Sequence, residues 1–221
     1  MNKTAIILGA TGLTGGMLLE QLIADKNYST IKLFSRNSVA NSSEKIEEFI
    51  VDLLNLETSA KDFTADEVFC CIGTTAAKTK DKNRYKAIDF GIPVAAAKLA
   101  KKNHIQTFVV MSSMGANENS TVFYNKTKGE MERTILQQNI QNTYIVRPSL
   151  IGGNRDENRV GERIAKGVMS LLNPLFVGGF KKYKMIHPKT IAIAMKKLAN
   201  HPQNQTIFSS NELEEIAKSK K

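Results

Sequence analysis

Tyr124 and Lys128 stand four residues apart in Tyr124-Asn125-Lys126-Thr127-Lys128, shortly after an apolar run that ends in Ser112-Ser113. On a helix this spacing puts a phenol and an ammonium on one face. A neighbouring ammonium favours a phenolate, so such a phenol can give or take a proton on a substrate oxygen near neutral pH. A serine hydroxyl at the end of a preceding strand can hold that oxygen by a hydrogen bond. The same pair also arises as a plain solvated helix face, so the chemistry depends on its surroundings.

Those surroundings begin with Gly9-Ala10-Thr11-Gly12-Leu13-Thr14-Gly15. The loop follows a buried strand, Thr4 to Leu8, and opens a helix that runs from Leu13 to Ala24. Glycine at 9, 12 and 15 answers three needs: a tight turn, close backbone approach to a pyrophosphate, and close crossing of helix and strand. The helix start then offers free N–H groups and partial positive charge to phosphates. A dinucleotide follows as the ligand, held by Gly9, Thr11, Gly12, Leu13, Thr14 and Gly15. The second strand ends in Ser35-Arg36-Asn37, with no carboxylate to meet ribose hydroxyls. A guanidinium suits a phosphate dianion, so Ser35 and Arg36 favour NADP(H) over NAD(H). Asp52, with Leu53, ends the third strand and is placed to meet the adenine. With a nicotinamide present, Tyr124 can move a proton while a hydride moves, and Lys128 can hydrogen-bond the nicotinamide ribose.

The elements that must position these groups alternate. Strands are expected at Ile31–Phe34, Glu44–Val51, Glu67–Ile72, Thr107–Met111 and Thr143–Val146, and helices at Tyr85–Lys101 and Phe123–Gln138, the former kinked or broken at Pro93. This rhythm gives an α/β, Rossmann-type doubly wound fold, a mostly parallel sheet with helices on both faces. After Gly152 the rhythm changes to a loop and helix over Asn154–Leu172, a loop over Asn173–Phe180, a short strand at Lys184–Ile186, a helix over Pro188–Leu198, an edge strand at Thr206–Phe208 and a charged terminal helix. The whole chain, 1–221, is expected to form one NAD(P)-binding domain, with a cofactor-binding core at 1–151 and a small substrate-side extension at 152–221. Net charge is +10 over 221 residues, but the lysines are scattered and no recognition motif accompanies them, so no nucleic-acid partner is expected. Adjacent Cys70 and Cys71 point to opposite faces of a strand and are not expected to pair. No metal-ligand spacing is present, and no apolar run is long enough to insert into a membrane, which leads to the expectation of a cytoplasmic protein.

Taken with Ser112-Ser113-Met114-Gly115-Ala116 and Arg147-Pro148-Ser149, the glycine loop and the Tyr-x-x-x-Lys set resemble the short-chain dehydrogenase/reductase superfamily. Within it the chain is similar to the atypical branch that includes the Tat-interacting-protein oxidoreductases, from Thr4 to about Ala199. The resemblance implies Ser113 rather than Ser112 as the catalytic serine, beside Tyr124 and Lys128. It implies that Cys71, Ile72, Gly73 and Thr74 approach the adenine ribose and pyrophosphate, and that Pro148, Ser149 and Leu150 flank the nicotinamide. Asp89 lies where relatives carry a polar residue near the lysine, although a surface carboxylate explains it equally well. Arg155, Arg159 and Arg163 could meet an anionic substrate or the cofactor phosphate, and Met169, Leu172, Leu175 and Phe176 could form an apolar lid. Surface and core packing are the ordinary alternatives for both sets.

These features point to an NADP(H)-dependent oxidoreductase acting on a small carbonyl or alcohol, as a monomer or homodimer. The alternative from another class is a catalytically weak NADP(H)-binding sensor that acts through a protein partner. A nucleotide-sugar epimerase is disfavoured because the C-terminal region is short for a sugar-nucleotide lobe.

Overall fold

Strand β1 (Lys3–Leu8) carries Ala5, Ile6, Ile7 and Leu8 with no solvent exposure on either face. A strand apolar on both faces belongs in the middle of a parallel sheet covered by helices. The computed structural model, which describes residues 2–75, 77–152 and 185–219, puts it there. The other strands are β2 (Tyr28–Ser35), β3 (Ile46–Ile50), β4 (Glu67–Cys70), β5 (Thr107–Met111), β6 (Asn142–Arg147) and β7 (Ile207–Ser209). Among the described residues they form one seven-stranded sheet in the order β3-β2-β1-β4-β5-β6-β7. Every pairing is parallel. The strand order reverses between β1 and β4, which opens a crevice at the C-terminal ends of these strands.

Alternate residues feed two cores. Ala5, Ile7, Leu33, Phe69, Val109 and Val146 meet Leu18 and Leu22 of α1 (Leu13–Ala24) and Ile191 and Met195 of α5 (Pro188–Asn200). Ile6, Leu8, Val68, Phe108 and Val110 meet Ala96 and Leu99 of α3 (Ile92–Lys102) and Met131 and Ile135 of α4 (Phe123–Leu136). Cys70 and Cys71 fall in opposite cores as free thiols, and burial pushes Cys70 up to about 11.

The helix expected over Tyr85–Lys101 is divided. A short α2 (Lys82–Lys86) runs into a π-helical stretch, Ala87–Gly91, and then into α3. Pro93 sits in the first turn of α3, where its missing N–H is tolerated, so the irregularity lies in the turn before it. The C-terminal stretch expected on the substrate side returns to the sheet: α5 packs on α1, β7 pairs with β6, and α6 (Ser210–Lys218) follows, capped by Ser209 and Glu212. Ile186 forms an isolated parallel bridge to Ile151. The loop and helix expected over Asn154–Phe180 lie outside the described residues.

A polar knot closes the N-terminal end of the sheet. The Tyr28 hydroxyl donates to the Glu67 carboxylate, and Lys3 Nζ lies 3.0 Å from its other oxygen. Asn200 joins α5 to the knot, donating to Tyr28 at 2.6 Å and accepting from Lys3 at 2.9 Å. Burial holds the Glu67 carboxyl above its ordinary 4.5, outweighing the hydrogen bonds of Tyr28 and Lys3. The native state therefore keeps a proton that the unfolded chain has released, and stability from this group falls as pH rises from 4.5 toward the raised value. Glu67→Gln should flatten that part of the profile. Urea midpoints measured on both sides of the interval check this, and an unchanged slope in the variant assigns the titration elsewhere.

Candidate active site

The glycine loop joins the C-terminal end of β1 to α1. Gly9 has φ 87°, and a Cβ there would lie 3.0 Å from the Cys71 backbone at the end of neighbouring β4. A Cβ on Gly15 would stand 2.1 Å from the Gly9 carbonyl oxygen, so only glycine lets α1 approach the turn so closely. The turn is closed by Gly12 N–H donating to Gly9 O at 3.0 Å. Gly12 caps α1 without a side-chain hydrogen bond, and no acidic residue stands in the first turn. The helix start thus keeps its N–H donors and partial charge for an anion. This cradle, bare of side chains at its closest points, fits the pyrophosphate of a dinucleotide. Around it Thr11 is exposed, Leu13 half-buried and Thr14 buried.

The rim continues along the strand ends. Leu8 is in register with Phe34, so Ser35 and Arg36 follow at the same level as Gly9. The Ser35 hydroxyl is turned inward, donating to Asn37 O at 2.7 Å, while Arg36 is exposed. Asp52, anticipated at the adenine, also has a local engagement. It caps a 3-10 helix, Leu53–Ser59, accepting from Leu54 N at 3.0 Å and Asn55 Nδ2 at 2.7 Å, and Leu53 is buried in the core. An aspartate followed by Leu-Leu-Asn is an N-cap signal that was available in the sequence. Cys71 N–H donates to Leu8 O at 2.9 Å, which keeps the Cys71-Ile72-Gly73-Thr74 loop beside the glycine turn.

The chemistry-bearing groups meet between two helices. Lys128 Nζ lies 2.8 Å from Asp89 Oδ1, with the side chains 4% and 1% exposed. Asp89 Oδ2 accepts from Thr74 N at 2.7 Å, and Lys128 Nζ is 3.5 Å from Met111 O at the end of β5. Asp89 is therefore no surface carboxylate: it is the buried counter-ion of the lysine and ties the β4 loop to α4. Tyr124, one turn before Lys128, is 38% exposed. Tyr85, one turn before Asp89, packs edge-on against it with ring centroids 6.1 Å apart.

The two serines after β5 have different partners. Ser112 donates to the Glu132 carboxylate, which also takes Arg147 Nε at 2.9 Å. The Ser113 hydroxyl is buried with no hydrogen-bond partner among the described residues. Pro148 is buried and its carbonyl accepts from Met114 N at 3.0 Å, while Leu150 is exposed. Sequence reasoning missed the Ser112–Glu132–Arg147 cluster and the place of Tyr85. The four-residue step from Tyr85 to Asp89 repeats that from Tyr124 to Lys128, and it was the available signal. Arg155, Arg159, Arg163 and the apolar set Met169, Leu172, Leu175 and Phe176 lie outside the described residues. No described helix is long and apolar enough to cross a membrane.

A protein-family model described as NAD(P)H-binding matches residues 9–166. The chain is 32% identical over 185 residues to "Protein FMP52, mitochondrial" of Candida albicans, covering 81% of each chain. It is 30% identical to Protein HTATIP2 of Rattus norvegicus, covering 81% of this chain and 75% of that protein. Among solved structures, UDP-glucose 4-epimerase of Thermotoga maritima with UDP-glucose superposes with a TM-score of 0.70 at 15% identity, over 97% of this chain and 81% of that one. MoeE5 in complex with UDP-glucose and NAD gives 0.68 at 14%, over 97% and 80%. At these identities the two structures speak to the fold. The expected cytoplasmic location is overturned by the FMP52 relatives, which are named as mitochondrial in several fungi.

Removing one partner of a buried ion pair leaves the other charge uncompensated. Asp89→Ala should lower stability by about 3–5 kcal/mol. Asp89→Leu combined with Lys128→Met should cost less than Asp89→Ala alone, as read from denaturant midpoints.

Proposed function

This chain belongs to the NAD(P)H-binding family, in the atypical short-chain dehydrogenase/reductase branch that includes the Tat-interacting-protein oxidoreductases, and on that premise we propose that it transfers a hydride between NADP(H) and a small carbonyl or alcohol. The observation that carries the reading is the Ser113 hydroxyl. It is buried with no hydrogen-bond partner among the described residues, two residues beyond the Met111 carbonyl that Lys128 approaches. A buried hydroxyl without a partner is unfavourable by about 1–3 kcal/mol, and a substrate carbonyl oxygen relieves it.

The cradle of Gly9, Gly12 and Gly15 would hold the dinucleotide, which when bound would supply the hydride. The residues of this chain manage the oxygen. Ser113 Oγ donates a hydrogen bond to it, and Tyr124 Oη transfers its proton to it, giving the alcohol and a phenolate. Lys128, fixed by Asp89 and Met111 O, stabilises that phenolate and has one proton left for a ribose hydroxyl. The partial exposure of Tyr124 lets it recover a proton from solvent. Oxidation of an alcohol runs the same steps in reverse. Arg36, exposed where a ribose-binding carboxylate would otherwise stand, favours NADP(H).

One observation favours the sensor reading as a second choice. Asp89 compensates the Lys128 charge, so the phenol feels less than a lone ammonium would give it.

Tyr124→Phe should lower turnover about 10²–10⁴-fold. NADPH affinity should stay near that of the wild type. Full activity in the variant overturns the acid/base role, and a wild type that binds NADPH yet reduces nothing in a broad carbonyl panel favours the sensor. Arg36→Ala should weaken NADPH about tenfold or more while sparing NADH. Equal effects on both, or none, remove Arg36 from cofactor selection.

A further inference from the structure

We propose that Lys82 and Tyr85 form a carboxylate-binding wall opposite Tyr124, so that the carbonyl substrate is an oxo acid; this rests on the hydride-transfer reading above. Both residues lie on α2, three apart and on one face. Both rest on the same ring of α4: Lys82 Nζ is 5.6 Å from the Phe123 centroid, and the Tyr85 ring is 5.6 Å from it at 65°. Tyr85 also meets Tyr124, the proposed proton donor. The wall therefore grades inward, from exposed Lys82 through Tyr85 at 2% exposure to the buried Asp89–Lys128 pair.

Neither of the two outer groups has a hydrogen-bonded or ion-paired partner among the described residues. Lys82 makes no ion pair among the described residues. Its acidic neighbour Asp81 is turned into a helix cap, accepting from Arg84 N at 2.7 Å, and the next lysine on the helix, Lys86, is held by Glu130 at 2.7 Å. The Tyr85 hydroxyl is buried with no hydrogen-bond partner among the described residues. Burial, with Asp89 and Tyr124 adding to it, pushes that phenol up, so it stays protonated and acts as a donor. A carboxylate is acceptor-only and has two oxygens, one for the ammonium and one for the hydroxyl. A neutral carbonyl compound leaves the cation unmatched.

The test uses the full chain loaded with NADPH. Pyruvate, glyoxylate and a benzaldehyde bearing a para carboxylate are each compared with their methyl esters. Wild type should favour the acids about tenfold or more in kcat/KM, and Lys82→Met and Tyr85→Phe should each cut the acid-to-ester ratio about tenfold. Tyr85→Phe keeps the ring that meets Phe123, and Lys82→Met keeps an unbranched side chain while removing the ammonium. Oxamate, a carboxylate that cannot be reduced, gives a second readout through the fluorescence of bound NADPH. It should bind wild type and bind both variants about tenfold more weakly. Esters used as well as acids, or a ratio that neither variant moves, overturn the inference while leaving hydride transfer intact. Oxamate binding that depends on Lys82 and Tyr85, with no turnover of any compound, upholds the wall and removes the hydride-transfer reading. Neither oxamate binding nor turnover overturns both.

Discussion

The ion pair between Asp89 and Lys128 is the constraint on which the site depends. An ammonium that is 4% exposed needs a counter-charge at contact distance, and one carboxylate provides it at 2.8 Å. Because the other oxygen of that carboxylate holds Thr74 N–H, one side chain binds the β4 loop, the π-helical stretch and α4 together. The position of Tyr124 follows from this, since it lies one turn from Lys128 on the same helix. The irregular turn before Pro93 belongs to the same arrangement, because Asp89 sits inside it.

The second constraint is the crossing of α1 over the end of β1. The reversal of strand order beside β1 brings the β4 loop against the glycine turn, and the contacts there leave no room for side chains at positions 9 and 15. The glycine cradle and the Tyr124–Lys128 group therefore share the C-terminal end of the sheet. The N-terminal end is occupied by the Tyr28–Glu67–Lys3–Asn200 knot, which anchors α5 and has no part in the proposed reaction.

Much of this was legible in the sequence. Leu13–Ala24 and Thr107–Met111 are found with the bounds anticipated, because apolar periodicity there coincides with clear stops. The Tyr-Lys spacing located the helix face. Other features were not legible, for physical reasons. Asp89 reads the same in sequence whether it faces water or a lysine 39 residues away, and only the fold decides. Asp52 carried two meanings, nucleobase contact and helix cap, and the cap places one donor on each of its exposed carboxylate oxygens. Ser112 and Ser113 are equivalent as letters, yet beyond the end of β5 one hydroxyl meets Glu132 and the other has no partner among the described residues. The C-terminal stretch was expected beside the substrate because its rhythm differs, whereas α5 and β7 supply apolar faces that the sheet and α1 require.

The separation of Asp89 from Lys128 along the chain bears on how the protein is made. The glycine cradle is local: one strand, one turn and one helix start supply it, apart from the contact with Cys71. The ion pair joins two different crossover units and closes a long loop, so it forms only after β4, β5 and the helices behind them have assembled. A nascent or partly folded chain can thus acquire its phosphate-binding turn early while its lysine is still hydrated and its tyrosine unpositioned. The buried ion pair is thus a late property of the chain, and Tyr124 takes its place only once β4, β5 and α4 have come together.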